Sequence, residues 1–312
     1  MIWRVVLYKR IILDVYGSVK RMWVVSAVLS AVFAGLTAIL GKSGVKNTDS
    51  DVATAIRTSV VLLLSVAVTF VTGEAVSITK ISLKSLVFLI ISGMATGASW
   101  ICYFKALSIG ETSKVSAVDK SSVIFSVLTA MIIFPAERVN FGLKLACLTF
   151  IGAGTYLMTD IKKSDGTIRK KDTKWFFFAL LSALFAAATS VLAKIGIENV
   201  PSNLATSVRT VVVLVIAWAI VFGRKKSDLI KKVPKSDLAF LLLSGIATAG
   251  SWLCYYYAIA EGQVSVVVPI DKASVLLTVI FSVIVFKEKL KIAEWFGLAL
   301  LVAGAVCMAV FA

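Results

Sequence analysis

The amino-acid sequence predicts an all-α integral membrane protein with ten transmembrane helices, arranged as two inverted five-helix repeats. Three observations support this fold class. The composition is strongly apolar, the chain contains ten apolar runs of roughly membrane-spanning length, and the two halves repeat one another at a shift of 152 residues.

The composition identifies lipid as the main solvent of the chain. Of the 312 residues, 59% are hydrophobic and 16% are charged, and the mean hydropathy is +0.95. A globule of this size cannot hide that much apolar surface from water, whereas a bilayer requires apolar runs of about 20 residues. The net charge of +16 lies mostly between the apolar runs, as at Arg224, Lys225 and Lys226. Membrane proteins carry positive charge at such places, so nucleic-acid binding is not expected.

The residue types that most often carry catalysis or bind metals are scarce. The chain has no histidine, and its four cysteines lie inside apolar runs without short pair spacing. Neither a disulfide framework nor a metal site is therefore expected. The sequence also lacks a glycine-rich phosphate loop and an acidic metal cluster, so we expect no catalytic residue, no cofactor and no enzymatic activity.

Charges, glycine, asparagine and proline separate the apolar runs. The predicted spans are residues 23–41, 52–72, 85–107, 113–134, 141–159, 175–193, 203–222, 237–260, 264–286 and 292–311. Very short turns near 108–112 and 261–263 leave a count of nine open. The predicted division is 1–21 as a basic amphipathic segment or an upstream-start extension, 22–160 as the first repeat, 161–174 as a basic linker and 175–312 as the second repeat.

The internal repeat is the most informative feature. Residues 99–123 and 251–275 are identical at 12 of 25 positions, including the Asp-Lys pairs at 119–120 and 271–272. Because each unit has five spans, an odd number, the second unit must enter the membrane upside down. Two inverted bundles can exchange conformations, so that a central site opens first to one side and then to the other.

The order of these features resembles the drug/metabolite transporter superfamily, EamA type. The features are the two-unit layout, short-turn helix pairs, and duplicated residues in matching order: Lys42 and Lys194, Arg57 and Arg209, Glu137 and Glu288, and Gly152 and Gly304. The resemblance covers residues 22–312 and implies ten helices in two inverted halves that move small metabolites or drugs, often outward.

Two departures bear on the substrate. The Asp-Lys pairs of the fourth and ninth spans resemble a subgroup that includes short single-unit proteins, which suggests a duplication and fusion. The related small multidrug transporters use a membrane-embedded glutamate in their first helix, and spans 23–41 and 175–193 contain no acidic residue. That proton–drug exchange mechanism is therefore disfavoured.

Four charges within the hydrocarbon are candidate substrate-binding groups. Asp119, Lys120, Asp271 and Lys272 lie about six residues, or roughly 9–10 Å, inside their spans. Each uncompensated charge there costs roughly 2.5–3.5 kcal/mol, so these residues must face a cavity, an interior or one another. The alternative to a central binding site is a structural ion pair. Symmetry predicts the reciprocal pairs Asp119 with Lys272 and Asp271 with Lys120.

The third and eighth spans supply further candidates. Lys105 lies in the third span, and the matching residue of the second repeat is Tyr257, so the repeat symmetry is broken there. A lysine at this depth would suit an anionic ligand, although it can also extend to the interface. Aromatic side chains on the same spans line a candidate pocket or pack as an interfacial belt. The aromatic candidates are Trp100, Trp252, Tyr103, Tyr255 and Tyr257. Arg57, Arg209, Lys42 and Lys194 lie nearer the span ends, where contact with headgroups is the favoured interpretation.

These observations predict a multi-pass transporter of the cell membrane, most simply a prokaryotic plasma membrane. Its expected partners are a small-molecule solute and the lipid bilayer. Without an ATP-binding motif, a gradient of protons, another ion or the solute must supply the energy. The alternatives are a lipid-carrier flippase of the same fold and a membrane-embedded transferase.

Overall fold

The computed structural model describes the backbone of residues 2–109, 115, 118–158, 174–285 and 291–311. Side chains are described in the same ranges except at 2–21, 104, 107, 108, 158, 282 and 285. All regular structure within these residues is helical. The predicted basic segment 1–21 and linker 161–174 therefore lie almost wholly outside the described side chains.

The first half contains five α-helices: α1 Ile2–Gly44, α2 Ser50–Val71, α3 Leu83–Ile109, α4 Ser122–Ile133 and α5 Phe141–Met158. Short 3₁₀ helices, Glu74–Lys80 and Pro135–Arg138, connect α2 to α3 and α4 to α5. The second half contains α6 Lys174–Ile197, α7 Ser202–Gly223, α8 Lys235–Glu261, α9 Val264–Lys272, α10 Val275–Val285 and α11 Ile292–Phe311. A single helical turn, Ser227–Ile230, lies between α7 and α8.

Eight segments in the described part are long and apolar enough to cross a membrane. They include the α9–α10 stretch up to Phe281, whereas Phe141–Leu157 is a shorter apolar helix. The predicted fourth span appears as the 12-residue helix α4, and residues 110–114 before it lie outside the described residues. Large apolar side chains such as Leu63, Ile132 and Ile284 are each 70% exposed on the outer surface, as lipid contact requires.

Equivalent helices of the two halves run antiparallel. At one end of the α2–α7 pair, the Trp218 indole donates a 3.2 Å hydrogen bond to Ser59 Oγ, and at the other end Thr69 and Ser207 hydroxyls lie 2.9 Å apart. As the residue number rises along α2, that of its α7 partner falls. Since α2 and α7 correspond at the 152-residue shift, this direction is the one that inverted repeats require.

Small residues allow α5 and α11, another equivalent pair, to approach closely. A Cβ atom on Gly154 would lie 2.5 Å from the carbonyl oxygen of Gly297, and one on Gly304 would lie 2.8 Å from Ile151 Cγ1. Membrane helices associate through this kind of close backbone contact, because lipid provides no hydrophobic force between them. The other long contacts cross between halves, α1 along α8 and α3 along α6.

The predicted ninth span is broken in the middle. Helix α9 ends at Lys272, residues 273–274 form a turn, and α10 begins at Val275. The amide of Ser274 donates to the Asp271 carbonyl at 3.1 Å, a tightened turn rather than an α-helical hydrogen bond. Pro269 within α9 removes one backbone donor just before the break. A turn at Ser121 occupies the corresponding place before α4.

Candidate functional site

A cavity of about 350 Å³ lies between the two halves. Most of its lining consists of residue pairs that are separated by 152 positions, one from each half. The pairs are Ala34 and Ala186, Thr37 and Thr189, Arg57 and Arg209, Thr96 and Thr248, Ser99 and Ser251, and Trp100 and Trp252. The cavity therefore lies where the symmetry relating the repeats brings equivalent side chains together.

Among the described residues, the remainder of the lining belongs to the second half. It consists of Ser190, Tyr255, Tyr256, Asp271 and Lys272. The residues at the matching first-half positions, such as Tyr103, Asp119 and Lys120, do not line it in the described structure. The cavity is thus displaced toward the second repeat, and the protein is in an asymmetric conformation.

Arg209 is the most deeply buried charge of the cavity wall. Its side chain is 0% exposed, and Nη2 donates to Thr96 Oγ1 at 3.0 Å. The guanidinium carbon lies 4.1 Å from the ring centroid of Tyr256 and 5.5 Å from that of Trp252. Within the described part of the chain, buried Nε and Nη1 have no hydrogen-bond partner.

The headgroup interpretation of Arg209 is therefore wrong. The side chain lines the cavity, where Thr96, Trp252 and Tyr256 on α3 and α8 contact it. Arg57 lines the same cavity and is half-buried, and its Nε is also buried without a partner among the described residues. The signal that sequence reasoning undervalued is the duplication of an arginine several residues inside an apolar span, which by default indicates a functional site.

Lys194 also differs from the headgroup interpretation. Its ammonium group donates to the carbonyl oxygens of Ile259, Ala260 and Gly262, at 2.6, 2.8 and 2.9 Å. These carbonyls end α8, so Lys194 neutralises the negative end of that helix. Glu137 contacts the start of the next helix, α9. Its carboxylate accepts hydrogen bonds from the backbone amides of Val264 and Ser265 at 2.9 and 2.8 Å. Together these two residues fix the short α8–α9 turn.

Each aspartate of the Asp-Lys pairs is bound by a serine from the opposite repeat. Ser30 Oγ donates to Asp271 Oδ1 at 2.6 Å, and Ser182 Oγ donates to Asp119 Oδ1 at 2.6 Å. The two contacts are symmetry equivalents, since the two serines are separated by 152 positions and so are the two aspartates. They connect the helix breaks to α1 and α6 across the interface between the repeats.

The predicted reciprocal ion pairs are not formed in this conformation. Among the described side chains, the ion pairs involve neither Asp119 nor Asp271. The serine hydroxyls provide the short hydrogen bonds that the ion-pair hypothesis assigned to lysines, and the exposed Lys272 side chain lines the cavity instead.

The structure separates the remaining predicted residues. Trp100, Trp252 and Tyr255 line the central cavity, where the Tyr255 hydroxyl lies 2.7 Å from Ser190 Oγ. Tyr103 packs in a cluster around Ala106, Val115 and Ala179. Tyr257 lines a second cavity of about 900 Å³ near the end of α8. Lys105 is exposed on α3.

An ionic cluster joins the loops at one end of the α2–α7 pair. Arg224 and Lys226 contact Asp51 at 2.9 and 2.6 Å, and Lys226 also contacts Asp49 at 2.7 Å. Burial raises the pKa of Asp49, but hydrogen bonds from Lys226 and two backbone amides outweigh it and lower that pKa overall. For Lys226, burial lowers the pKa, and the hydrogen bonds to Asp49 and Asp51 raise it overall.

Comparison with known proteins agrees with this architecture. The EamA-like transporter family matches residues 21–159 and again residues 173–310. The chain belongs to the EamA-like transporter family. A transporter role and a multi-pass membrane location follow from that membership, and the two matches correspond to the two repeats.

Two curated relatives of this family member have about the length of one repeat. An "Uncharacterized transporter in cobO 3'region" of Sinorhizobium sp is 44% identical over 137 residues, which are 44% of this chain and 97% of the relative. The "Uncharacterized protein MJ1333.1" of Methanocaldococcus jannaschii is 27% identical over 131 residues, 42% of this chain and 93% of the relative. A solved structure titled "Crystal structure of protein" has a TM-score of 0.72 at 18% identity, covering 90% of this chain and 94% of its own, and shares the fold.

Proposed function

We propose that this protein is a secondary transporter that exports a small organic solute across a prokaryotic plasma membrane by alternating access. The observation that carries the proposal is the cavity lined by six symmetry-related residue pairs. A site between inverted repeats can open to either side when one repeat rocks against the other. Its size and its mixture of aromatic and polar side chains suit a metabolite-sized or drug-like ligand.

The asymmetry of the cavity supports alternation. In this conformation Tyr255, Asp271 and Lys272 of the second repeat line it. If the repeats exchange conformations, the equivalent residues Tyr103, Asp119 and Lys120 take over that role in the opposite state. Both Asp-Lys pairs then belong to the transport site, although only one lines the cavity at a time.

The broken helices provide the moving parts. A helix interrupted at the depth of the site can bend at its turn without losing the hydrogen bonds of its two halves. The turn at 273–274 immediately follows Asp271 and Lys272. A carboxylate at such a turn is also a candidate carrier of a coupled proton, since it can change both its charge and its partner during the cycle.

Transport by reconstituted protein tests this function. Proteoliposomes are loaded with an equimolar panel of small carboxylates, amines, sugars and nucleosides, and each compound remaining inside is measured by mass spectrometry. We expect faster release of at least one compound than from protein-free vesicles. Ala186→Phe, which fills the cavity wall, should abolish that release.

Ile132→Phe is the matched control, because Ile132 is 70% exposed on the outer surface and lies away from the cavity. It should transport like the unmodified protein. Release no faster than from protein-free vesicles, or full activity in Ala186→Phe, contradicts the proposal. Movement of a labelled phospholipid without release of any panel compound would favour the lipid-flippase alternative instead.

A further inference from the structure

We propose that the central cavity binds an organic anion with an apolar body and that Arg209 binds its anionic group. The inference rests on the proposed function and specifies its substrate class. It concerns a residue that the sequence placed at the headgroups and that the structure places in the cavity wall.

The hydrogen-bonding capacity of Arg209 is largely unused. A guanidinium group has five N–H donors, and here Nη2 donates to Thr96 while buried Nε and Nη1 have no partner among the described residues. Leaving such donors unsatisfied is costly, most of all on a buried charge. A carboxylate or phosphate supplies two acceptors in the geometry of the guanidinium fork. An anionic ligand can therefore accept the hydrogen bonds that Nε and Nη1 do not donate within the protein.

The charge balance of the cavity favours an anion over a cation. Among the described residues, the cavity lining includes three cationic side chains, those of Arg57, Arg209 and Lys272, and one carboxylate, that of Asp271. That carboxylate already accepts the hydrogen bond from Ser30. A cationic ligand would have to enter a site with an excess of positive charge, whereas an anion reduces that excess.

The aromatic rings beside Arg209 indicate the apolar body. Tyr256 and Trp252 lie within 4.1 and 5.5 Å of the guanidinium carbon and hold it by cation–π contact. They also line the cavity, so an anionic group on Arg209 places the rest of the molecule against their rings.

Ligand binding by the purified full-length protein tests the inference. The probes share a fluorophenyl ring and differ in the attached group: 4-fluorobenzoate, 4-fluorophenyl phosphate, 4-fluorobenzamide and 4-fluorobenzylamine. The affinity for each probe is measured by ¹⁹F NMR titration. We expect at least one of the two anions to bind about tenfold or more tightly than the neutral amide, because only the anion satisfies the buried donors. The comparison of carboxylate with phosphate identifies which anion the fork prefers.

Arg209→Gln should abolish the preference for the anion, and Arg209→Lys should weaken it, since lysine keeps the charge but loses the fork. Arg138→Gln, which removes one positive charge outside the cavity lining, should leave the preference unchanged. Equal binding of anions and amide by the unmodified protein, tighter binding of the amine, or an unchanged preference in a folded Arg209→Gln overturns the inference. If Arg209→Gln does not fold, the inference is tested by the probe affinities of the unmodified protein and of Arg209→Lys.

The two proposals fail in different ways. If the panel experiment shows release of neutral or cationic compounds that Ala186→Phe blocks, while no anion binds preferentially, transport stands and the assigned substrate class is wrong. If the anions bind preferentially but no compound is released, the binding site stands and the transport function is wrong.

Discussion

Ser30 Oγ donates a 2.6 Å hydrogen bond to Asp271 Oδ1, joining the first helix of one repeat to the break in the ninth span of the other. The equivalent bond from Ser182 to Asp119 has the same length. These contacts connect the two repeats at the depth of the cavity, so they are positioned to respond when one repeat moves against the other.

Removing either serine should weaken the interface between the repeats. Ser30→Ala leaves Asp271 without its hydroxyl donor, and a hydrogen bond to a charged group contributes about 1.5–3 kcal/mol. We expect a lower thermal unfolding midpoint in detergent and a similar decrease for Ser182→Ala. Ser43→Ala is the control, because the Ser43 hydroxyl only contacts a carbonyl of its own helix at 3.4 Å. Unfolding midpoints for Ser30→Ala and Ser182→Ala no lower than that of the control would show that the serine–aspartate bonds do not stabilise the interface.

The close approach of α5 and α11 should depend on Gly154. A methyl group there would meet the backbone of Gly297 at 2.5 Å, so Gly154→Ala must push the helices apart, at a cost of typically 1–3 kcal/mol. The measurement is the thermal unfolding midpoint of purified protein. Gly142→Ala is the matched control on the same helix, since nothing lies within 4 Å of a Cβ there. Equal midpoints for the two variants would mean that α5 and α11 are not in tight contact.

The ionic cluster at the loops should make stability depend on pH in a definite direction. The pKa of Asp49 is lowered from 3.8 on folding, so its contribution is present above pH 3.8 and is lost as pH falls through the folded pKa. The pKa of Lys226 is raised from 10.5, so its contribution is present below pH 10.5 and is lost as pH rises through the folded value. Between pH 3.8 and pH 10.5 the contribution of the cluster to the free energy of unfolding should therefore be constant.

Thermal unfolding of Asp49→Asn across pH tests this dependence. We expect the variant to be less stable than the unmodified protein at pH 7 and the difference to shrink as pH falls below about 4. Asp228→Asn serves as the control, because Asp228 is exposed and outside the ion pairs of the described residues. A difference that stays constant down to pH 2 would show that Asp49 stabilises the fold without its charge.

The fold could be predicted from the sequence because its determinants can be recognised there directly. Apolar length locates a span, and the 152-residue repeat relates Trp100 to Trp252 and Asp119 to Asp271 without any knowledge of packing. These two kinds of information were enough for the repeats and for the depth of the charges. Apolar length does not give the number of spans in the same way, because α4 and α5 are short.

The site could be predicted from the sequence only in part. The position of a residue along a helix gives its depth in the membrane, but it does not tell which way the side chain faces. Arg209 and Tyr103 both lie inside spans, yet the structure turns Arg209 into the cavity and Tyr103 into a packed cluster. The partner of Asp271 depends on which helix crosses the break, and Ser30 is separated from it by 241 residues. The break itself had a local signal, Pro269, but proline also occurs in continuous membrane helices.

Cysteine accessibility measures most directly whether the cavity alternates between the two membrane faces. In a background where Cys102, Cys147, Cys254 and Cys307 are replaced, single cysteines are placed at Thr37 and Thr189, an equivalent pair in the cavity wall. Val213→Cys is the control, because Val213 is 0% exposed. An impermeant thiol reagent is then applied to vesicles from each side separately.

A second set of vesicles carries cysteines at Asp51 and Lys226, bridged by a short bismaleimide so that the loops of the ionic cluster cannot separate. We expect both cavity cysteines to be labelled from either side in the unbridged protein. The bridge should block labelling from the cluster side while labelling from the other side continues. Labelling from one side only in the unbridged protein, or labelling from both sides after bridging, would contradict alternating access.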